Sequence, residues 1–138
     1  MAELVRLSLS LEKPLLKQLE RLVKRSGYTN RSEFVRDLLR RRLVEEEWKG
    51  DQVVVGTVTL VYDHHARGLG ERLTDLQHHH HDAILATTHV HLDEQMCVEM
   101  ILMKGRAHEL KHIAEHLRQH KGVLHAALSM SSTGKKLA

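Results

Sequence analysis

Two histidines and a cysteine that lie close together in the sequence are the residues best suited to chemistry. His89 and His91 are two residues apart, and side chains at i and i+2 of a strand point to one face of a sheet. A symmetric hairpin with its loop at residues 92–96 would place Cys97 opposite His91. The same register would place Glu99 opposite His89. Two imidazoles and a thiol would then converge, which predicts most of a transition-metal site.

A run of four histidines, His78–His81, supplies candidates for a fourth ligand. The run continues a helical pattern of leucines, and at helical spacing His78 points away from that apolar stripe while His80 continues it. We therefore expect His78 to act as a ligand that reaches a neighbouring subunit, and His80 to pack. His79 and His81 are expected to face solvent.

The types of the candidate ligands do not identify the metal. Three protein ligands with a water suit a catalytic zinc, and four suit a closed sensor site. Three nitrogens and one sulfur can hold Zn(II) tetrahedrally, or Cu(II) and Ni(II) in a plane. The alternative to a metal site is a hairpin whose polar residues face solvent beside an incidental thiol. All 13 histidines lie at or after His64, so any metal chemistry belongs to the second half of the chain.

Composition narrows the setting of the protein. Of 138 residues one is a cysteine, so Cys97 cannot form an internal disulfide, and a reducing, cytoplasmic compartment is expected. No apolar run approaches the roughly 20 residues that span a bilayer, and Met1 leads directly into a strand pattern, so neither a membrane segment nor a signal peptide is expected. Only 3% of residues are aromatic, which predicts small aliphatic cores and favours oligomers.

Residues 5–10 predict a strand that has no partner within its own half of the chain. Apolar residues alternate there with Arg6, Ser8 and Ser10, and nothing else in residues 1–50 is strand-like. Pairing with the same strand of a second chain would satisfy its backbone groups. Such a two-stranded ribbon fits the major groove of B-DNA, where Arg6 is the best candidate to bind guanine. The excess of 12 Lys and Arg over 8 Asp and Glu in residues 1–50 also favours an anionic partner.

Two amphipathic helices are predicted to follow the strand. Asn30 is expected to cap the second helix, with Glu33 three residues later as in a capping box. The free N–H groups at Asn30, Arg31 and Ser32 suit a DNA phosphate. The second helix is predicted to bury five apolar residues: Phe34, Val35, Leu38, Leu39 and Leu43.

A polar, charged stretch before and after Gly50 predicts a boundary between two domains. We place a DNA-binding domain at residues 1–46, a linker at 47–52 and a regulatory domain at 53–138. Strand and helix patterns in the regulatory domain follow the order βαββαβ, which predicts a ferredoxin-like fold and an α+β chain. Because this fold hosts many functions, the function must be argued from the site.

Motifs in both halves match one family of regulators. The first-half motifs are Arg6-x-Ser8-x-Ser10 and Gly27-Tyr28-x-Asn30-Arg31-Ser32-Glu33-x-x-Arg36-Asp37, which resemble ribbon-helix-helix repressors. The second-half motifs are Tyr62-Asp63-His64, Gln77-His78-His79-His80-His81-Asp82, His89-Val90-His91-Leu92-Asp93 and Cys97-Val98-Glu99. Together, from about residue 3 to 131, they resemble the NikR family of nickel-responsive regulators.

The resemblance implies a homotetramer of ACT-like regulatory domains flanked by two ribbon-helix-helix dimers. Four residues would hold one Ni(II) per subunit: His89, His91 and Cys97 of one chain and His78 of another. Tyr62 and Glu99 match positions that support the ligands without binding the metal. The implied function is a cytoplasmic, non-enzymatic repressor of nickel uptake genes, which binds an operator with two inverted half-sites when nickel is bound.

Two further groups are weaker candidates. A histidine recurs every fourth residue along the last helix at His108, His112, His116 and His120. A solvated histidine face is favoured there over a secondary metal site, because no acidic or thiol partner accompanies it. Glu33 and Asp37, also four residues apart, are similar to a family position proposed for a hard cation near the DNA-binding domain.

Three other functions are compatible with parts of the pattern. The same scaffold could sense Zn, Co or Cu instead of nickel. A zinc hydrolase would use His89, His91 and Cys97 as ligands and Glu99 as a base, although no second acid or base accompanies them. An antitoxin-type repressor would bind a protein through its C-terminal part. Such proteins usually offer a disordered segment, whereas residues 53–131 are predicted to fold.

Overall fold

The computed structural model describes residues 2–138 and divides them into two units. One unit comprises the chain up to Leu43 together with residues 136–138, and the other comprises Val44–Lys135. Among the described residues, no helix combines the length and the apolar character needed to cross a membrane.

The first unit contains two helices, α1 at Lys13–Arg25 and the first part of α2 at Arg31–Lys49. Oδ1 of Asn30 accepts a hydrogen bond from the backbone N–H of Glu33 at 2.9 Å, which confirms the predicted cap of α2. The Glu33 carboxylate pairs with Arg36 rather than with the backbone of Asn30. One half of the expected capping box is therefore present.

The segment before α1 forms no strand in the single chain, which differs from the strand predicted over residues 5–10. A strand is defined by its ladder of backbone hydrogen bonds, and no segment within residues 2–138 pairs with this one. Its apolar side chains stay in solvent, with Val5 85% and Leu7 76% exposed. The alternation of side chains predicted the strand, but the alternation does not supply the neighbour that a strand needs.

The prediction that α2 buries five apolar side chains is wrong for the single chain. Phe34 is buried against Tyr28, with ring centroids 5.5 Å apart, but Leu38, Leu39 and Leu43 are exposed. Of the 17 large hydrophobic residues that are exposed among residues 2–138, ten lie in the first 43 residues. One chain of this unit therefore has too few apolar neighbours to cover its own helices.

The second unit is a four-stranded antiparallel sheet with two helices. Its elements in chain order are β1 Val53–Asp63, α3 Leu69–His79, β2 Ile84–His91, β3 Met96–Arg106, α4 Ala107–Arg118 and β4 Val123–Met130. The strands lie in the order β2-β3-β1-β4. This order, with the βαββαβ sequence of elements, confirms the ferredoxin-like motif and the α+β class.

Alternate residues of β1 are buried, so one face of the sheet joins the core. That core also holds buried residues of β3, α3 and α4, among them Ile101, Met103, Leu73 and Leu110. The other residues of the strands point to the opposite face of the sheet. On that face Val53, Val90 and Met100 remain between 42% and 51% exposed. The second unit thus has one packed face and one open apolar face.

Trp48 belongs to the core of the second unit, although it falls within the segment 47–52 that the sequence marks as a linker. Its side chain is 1% exposed, and its indole N–H donates to the carbonyl of Ser131 at 2.8 Å. Gly56 makes room for the ring, since a Cβ there would lie 3.1 Å from it. The division between the units falls after Leu43, three residues before the predicted end of the first domain.

Trp48→Ala should lower the free energy of unfolding of the second unit by about 3–5 kcal/mol, because it empties a large volume of the core. It also leaves the Ser131 carbonyl without its donor. Urea unfolding followed by far-ultraviolet circular dichroism measures the change. Leu124→Ala is the control, because Leu124 is 66% exposed and its loss should cost no more than about 0.5 kcal/mol. Equal losses in the two variants would contradict a core role for the indole.

Candidate metal centre

The β2–β3 hairpin brings the predicted residues together in the predicted register. His91 lies opposite Cys97, and His89 lies opposite Glu99. On the other side of β3, Tyr62 of β1 lies opposite Cys97. His91, Cys97 and Tyr62 therefore form a row across three neighbouring strands, on the face of the sheet that carries the helices.

The hairpin loop is fixed by hydrogen bonds to two aspartates. Oδ1 of Asp93 accepts the backbone N–H groups of Gln95 and Met96 at 2.8 and 2.7 Å, and these donors hold the pKa of the Asp93 carboxyl below its usual range. The Gln95 side chain donates to Asp63 at 2.8 Å, and the Gln95 carbonyl accepts the N–H of His64 at 3.0 Å. The loop is thereby tied to the end of β1, which fixes the register of both strand pairs.

Cys97 supplies a buried sulfur beside an exposed imidazole. Its Sγ lies 3.4 Å from Nδ1 of His91, and the ring centroids of His89 and His91 are 5.0 Å apart. Burial raises the pKa of the Cys97 thiol, and nearby carboxylates raise it further. A thiol at such a position gives up its proton only when a cation binds beside it, so binding of a metal there releases a proton.

Glu99 is a buried carboxylate at the centre of a chain of hydrogen bonds. The Tyr62 hydroxyl donates to one oxygen at 2.9 Å, and the Gln77 amide of α3 donates to the other at 2.8 Å. Thr87 of β2 donates in turn to the Gln77 carbonyl oxygen at 2.9 Å. The chain joins three strands to α3 immediately behind the ligands.

The same series of hydrogen bonds sets the tautomer of His89. Oη of Tyr62 lies 3.2 Å from Nδ1 of His89, but its one proton is donated to Glu99. Burial and then the Glu99 carboxylate raise the pKa of the Tyr62 phenol, so the hydroxyl keeps that proton. Nδ1 of His89 must therefore be the donor in this pair, which leaves the lone pair of Nε2 free for a metal. These contacts suit the supporting role predicted for Tyr62 and Glu99.

The structure adds His64, which the sequence analysis did not select as a ligand. One ring nitrogen of His64, one of His91 and Sγ of Cys97 all lie within 4.8 Å of one another. The His64 and His91 rings meet edge to face, with centroids 5.0 Å apart. A signal existed in the sequence, since His64 belongs to one of the matched motifs, Tyr62-Asp63-His64. Only the pairing of β1 with β3 brings it to the hairpin.

His78 stands apart from this cluster. It is exposed near the C-terminal end of α3, and the ligand cluster of its own chain does not include it. A ligand role for His78 stays a prediction, and it requires a second subunit. His80 is half-buried, in agreement with the packing expected for it.

The residues predicted to contact DNA are all exposed: Arg6, Ser8, Ser10, Asn30, Arg31 and Ser32. The first three lie in the segment before α1, and the last three surround the start of α2. Exposure is what a DNA contact needs, and the contacts themselves stay predictions.

The predicted hard-cation pair is engaged within its own helix and turn. Glu33 pairs with Arg36, and Asp37 accepts the Tyr28 hydroxyl and pairs with Arg40 at 3.3 Å. The hydrogen bond from Tyr28 holds the pKa of the Asp37 carboxyl below its usual range. A cation at this place would have to replace these partners, and the site stays a prediction.

The four regularly spaced histidines of α4 are not all available as ligands. Nδ1 of His108 lies 2.8 Å from Asp51, which removes the first member from the series. The rings of His112, His116 and His120 follow one another with centroids 5.8 and 5.7 Å apart. Within residues 2–138, three candidate ligand atoms converge only at His64, His91 and Cys97.

Comparison with known proteins decides the family. The NikR C-terminal nickel binding domain matches residues 55–131, and the ribbon-helix-helix protein of the copG family matches residues 5–46. A protein of Geobacter sulfurreducens that is named as a nickel-responsive regulator is 48% identical over 138 residues, and one of the same name from Geobacter metallireducens is 49% identical, with 99% of each chain covered. The chain belongs to the NikR family of nickel-responsive regulators.

Membership of the NikR family makes the chain a regulator and not an enzyme, which sets aside the zinc hydrolase. Its first half is a ribbon-helix-helix domain, and its second half is a nickel-binding domain. An uncharacterized protein from Thermotoga maritima has a fold similar to part of this chain. Its structure superposes with a TM-score of 0.52 at 16% identity, covering 57% of this chain and 98% of that one.

The donor atoms of the NikR chain fit nickel. Neutral imidazole and thiolate are ligands that Ni(II) takes in proteins. The hairpin offers a thiol in contact with His91 and a second imidazole, on His89, whose Nε2 is left free. Residues 89–97 therefore supply three donors of suitable chemistry from one short segment.

Tyr62→Phe should weaken nickel binding by about 10- to 100-fold, because it removes the hydroxyl that orients His89. Competition with a chelator of known affinity measures the change. Tyr28→Phe is the matched control, since it removes a phenol that also bonds a carboxylate but lies in the first unit. The same nickel affinity in both variants would show that Tyr62 does not support the ligands.

Proposed function

We propose that the protein is a cytoplasmic, nickel-dependent transcriptional repressor that binds operator DNA when its nickel sites are filled, and that it controls nickel uptake genes. The observation that carries the proposal is the hairpin register that sets His91 opposite Cys97, within a domain of the nickel-binding type. When nickel is in excess, it fills the metal sites of the regulator. A repressor that then binds the operator of uptake genes stops further import.

Each nickel site takes His89, His91 and Cys97 from one subunit and His78 from another, with one Ni(II) per subunit. The exposure of His78 on α3 supports this division, because an exposed imidazole is available to a second chain. When bound, nickel supplies a four-coordinate link between two subunits. The chain's own residues hold that link in place through the hydrogen bonds of Tyr62 and Glu99.

The assembly is a homotetramer, a dimer of dimers. The open face of the sheet supports an interface between regulatory domains, since Val53, Val90 and Met100 lie there uncovered. The exposed leucines of α2 and the unpaired segment before α1 support a dimer of the first unit. A ribbon formed by two such segments would present Arg6, and two ribbon dimers predict an operator with two inverted half-sites.

Coupling between metal and DNA passes through α3. Gln77 is bonded to Glu99 and Thr87, and the next residue, His78, presents its ring outward. The position of the His78 ring is therefore tied to the place where α3 rests on the sheet. Nickel favours the DNA-binding arrangement only by its differential affinity, and about 10⁴-fold is needed to move a population from 1:99 to 99:1.

A gel shift on metal-stripped protein tests the repressor, with Ni(II), Zn(II), Co(II) and Cu(II) added one at a time. We expect tight operator binding with Ni(II), and no such binding in Cys97→Ser, which lacks the thiol ligand. Operator binding that does not change with any of the four metals would contradict a metal-dependent repressor. The protein would then be a DNA-binding protein without a metal response.

Mixing two inactive variants tests whether the site is shared between subunits. His78→Ala and Cys97→Ser should each lose the nickel response alone. Unfolded together and refolded as an equal mixture, they should regain about a quarter of the sites, because in a two-fold pair each site takes His78 from the other chain. Recovery is measured as nickel bound and as operator retained. No recovery would show that all four ligands come from one chain.

Arg6→Ala should relax operator specificity and weaken operator binding by about 1–3 kcal/mol, because the guanidinium can read a guanine edge from the ribbon. The affinity for operator and for random DNA is measured at one salt concentration with nickel present. Arg25→Ala, another exposed basic residue of the first unit, serves as the control for charge alone. Unchanged discrimination in Arg6→Ala would rule out the ribbon as the reader.

A further inference from the structure

The segment that follows β4 is bonded to helix α2 at two places. At its start, the Ser131 carbonyl accepts the indole N–H of Trp48 at 2.8 Å. Near its end, the Leu137 carbonyl accepts a hydrogen bond from Nε of Arg40 at 3.0 Å. We propose that residues 131–137 form a strap that stabilises α2 over the stretch where this helix passes from the first unit to the second.

The length of the strap fits this role. The two bonded residues of α2 are eight residues apart, which is about 12 Å along an α-helix. The strap makes six residue steps between its two bonded carbonyls, and an extended chain of that length reaches at most about 20 Å. A turn shortens it, in which the N–H of Gly134 donates to Oγ of Ser132 at 3.0 Å and the φ of Gly134 is +80°.

Both ends of the strap are held in place by further contacts. The N–H of Ser131 donates to the carbonyl of Val55 at 2.8 Å, so the start of the strap is attached to β1 of the second unit. Leu137 is half-buried, whereas the two lysines before it are exposed, and residues 136–138 group with the first unit. A segment that docked nowhere would expose all of its side chains.

Helix α2 needs such a contact because its middle is poorly packed. Phe34 is buried in the first unit, and Glu47 and Trp48 are buried in the second. Every side chain of α2 between them is exposed or half-buried. Helices in proteins owe most of their stability to tertiary packing, so a stretch of about three turns without a buried side chain opens readily. The strap supplies a contact to this stretch from a distant part of the sequence.

Arg40 also connects the strap to the turn between α1 and α2. Its Nη1 lies 3.3 Å from Oδ1 of Asp37, and the Asp37 carboxylate accepts the Tyr28 hydroxyl. One guanidinium therefore has partners in the strap and in its own helix. A series of hydrogen bonds runs from the strap through α2 to Tyr28.

Amide hydrogen exchange of the full chain tests the strap in two variants that release it from opposite sides. Arg40→Met removes the donor, and Gly134→Pro breaks the turn, because proline cannot adopt a positive φ and has no N–H. We expect the amides of residues 42–46 to exchange about three- to tenfold faster in each variant, since one hydrogen bond accounts for such a factor. Arg41→Met is the matched control, because it removes the same charge from an exposed neighbouring position.

The double variant separates the strap from the other contacts of Arg40. If both substitutions release the strap, Arg40→Met combined with Gly134→Pro should exchange no faster than the faster single variant, because losses of one shared interaction do not add. Multiplied effects, or equal exchange in Arg40→Met and Arg41→Met, would overturn the proposal. The amides of β1 should keep their protection in every variant. Faster exchange there as well would show a general loss of stability and would also contradict a local strap.

The consequence for DNA binding rests on the proposed function, but the strap does not. A stiffer α2 lowers the cost of ordering the first unit on DNA. Arg40→Met and Gly134→Pro should therefore bind the operator more weakly by a similar factor, with the same nickel affinity as wild type. Unchanged or tighter operator binding would contradict this use of the strap. Failure of nickel to promote operator binding in wild type would contradict the proposed function and leave the exchange comparison readable.

Discussion

Glu99 is buried, and a buried carboxylate costs several kcal/mol unless donors surround it. The structure meets this demand with one donor for each oxygen, Tyr62 from β1 and Gln77 from α3. Because both donors are needed, β1, β3 and α3 can pack together in few other ways. The orientation of His89 follows from the same requirement, since the proton that Tyr62 donates to Glu99 cannot also be donated to the imidazole. The Glu99 carboxylate thus connects the orientation of a ligand to the packing of two strands and a helix.

The parts of this arrangement that depend on neighbours in the sequence could be predicted. The spacing of His89 and His91, with a short loop before Cys97, leaves a hairpin little freedom of register, and the structure has that register. The order of strands and helices in the second unit followed from changes in hydrophobic period along the chain. The cap at Asn30 followed from its side chain and the residues after it.

The parts that depend on distant segments could not be predicted. Nothing in the spacing of the ligands says that β1 is the second neighbour of β3, and without that pairing the sequence leaves His64 in a loop 27 residues before His91. The leucines of α2 show a related limit. Their period assigns them to one face of the helix, but it does not say whether the same chain covers that face, and here the chain leaves Leu38, Leu39 and Leu43 exposed. Trp48 was assigned to a polar segment because its neighbours are charged, whereas its indole fills the second core.

The burial of Trp48 makes the chain its own optical reporter. It is the one tryptophan of the sequence, so all indole emission comes from a single, well-defined environment. That environment is the core of the second unit, where the ring is shielded from water and bonded to Ser131. A red shift of the emission therefore signals exposure of this indole and loosening of the core around it. Fluorescence therefore follows the second unit, whereas helical dichroism follows both units. A change in dichroism without a change in fluorescence then belongs to the first unit, and no label is needed.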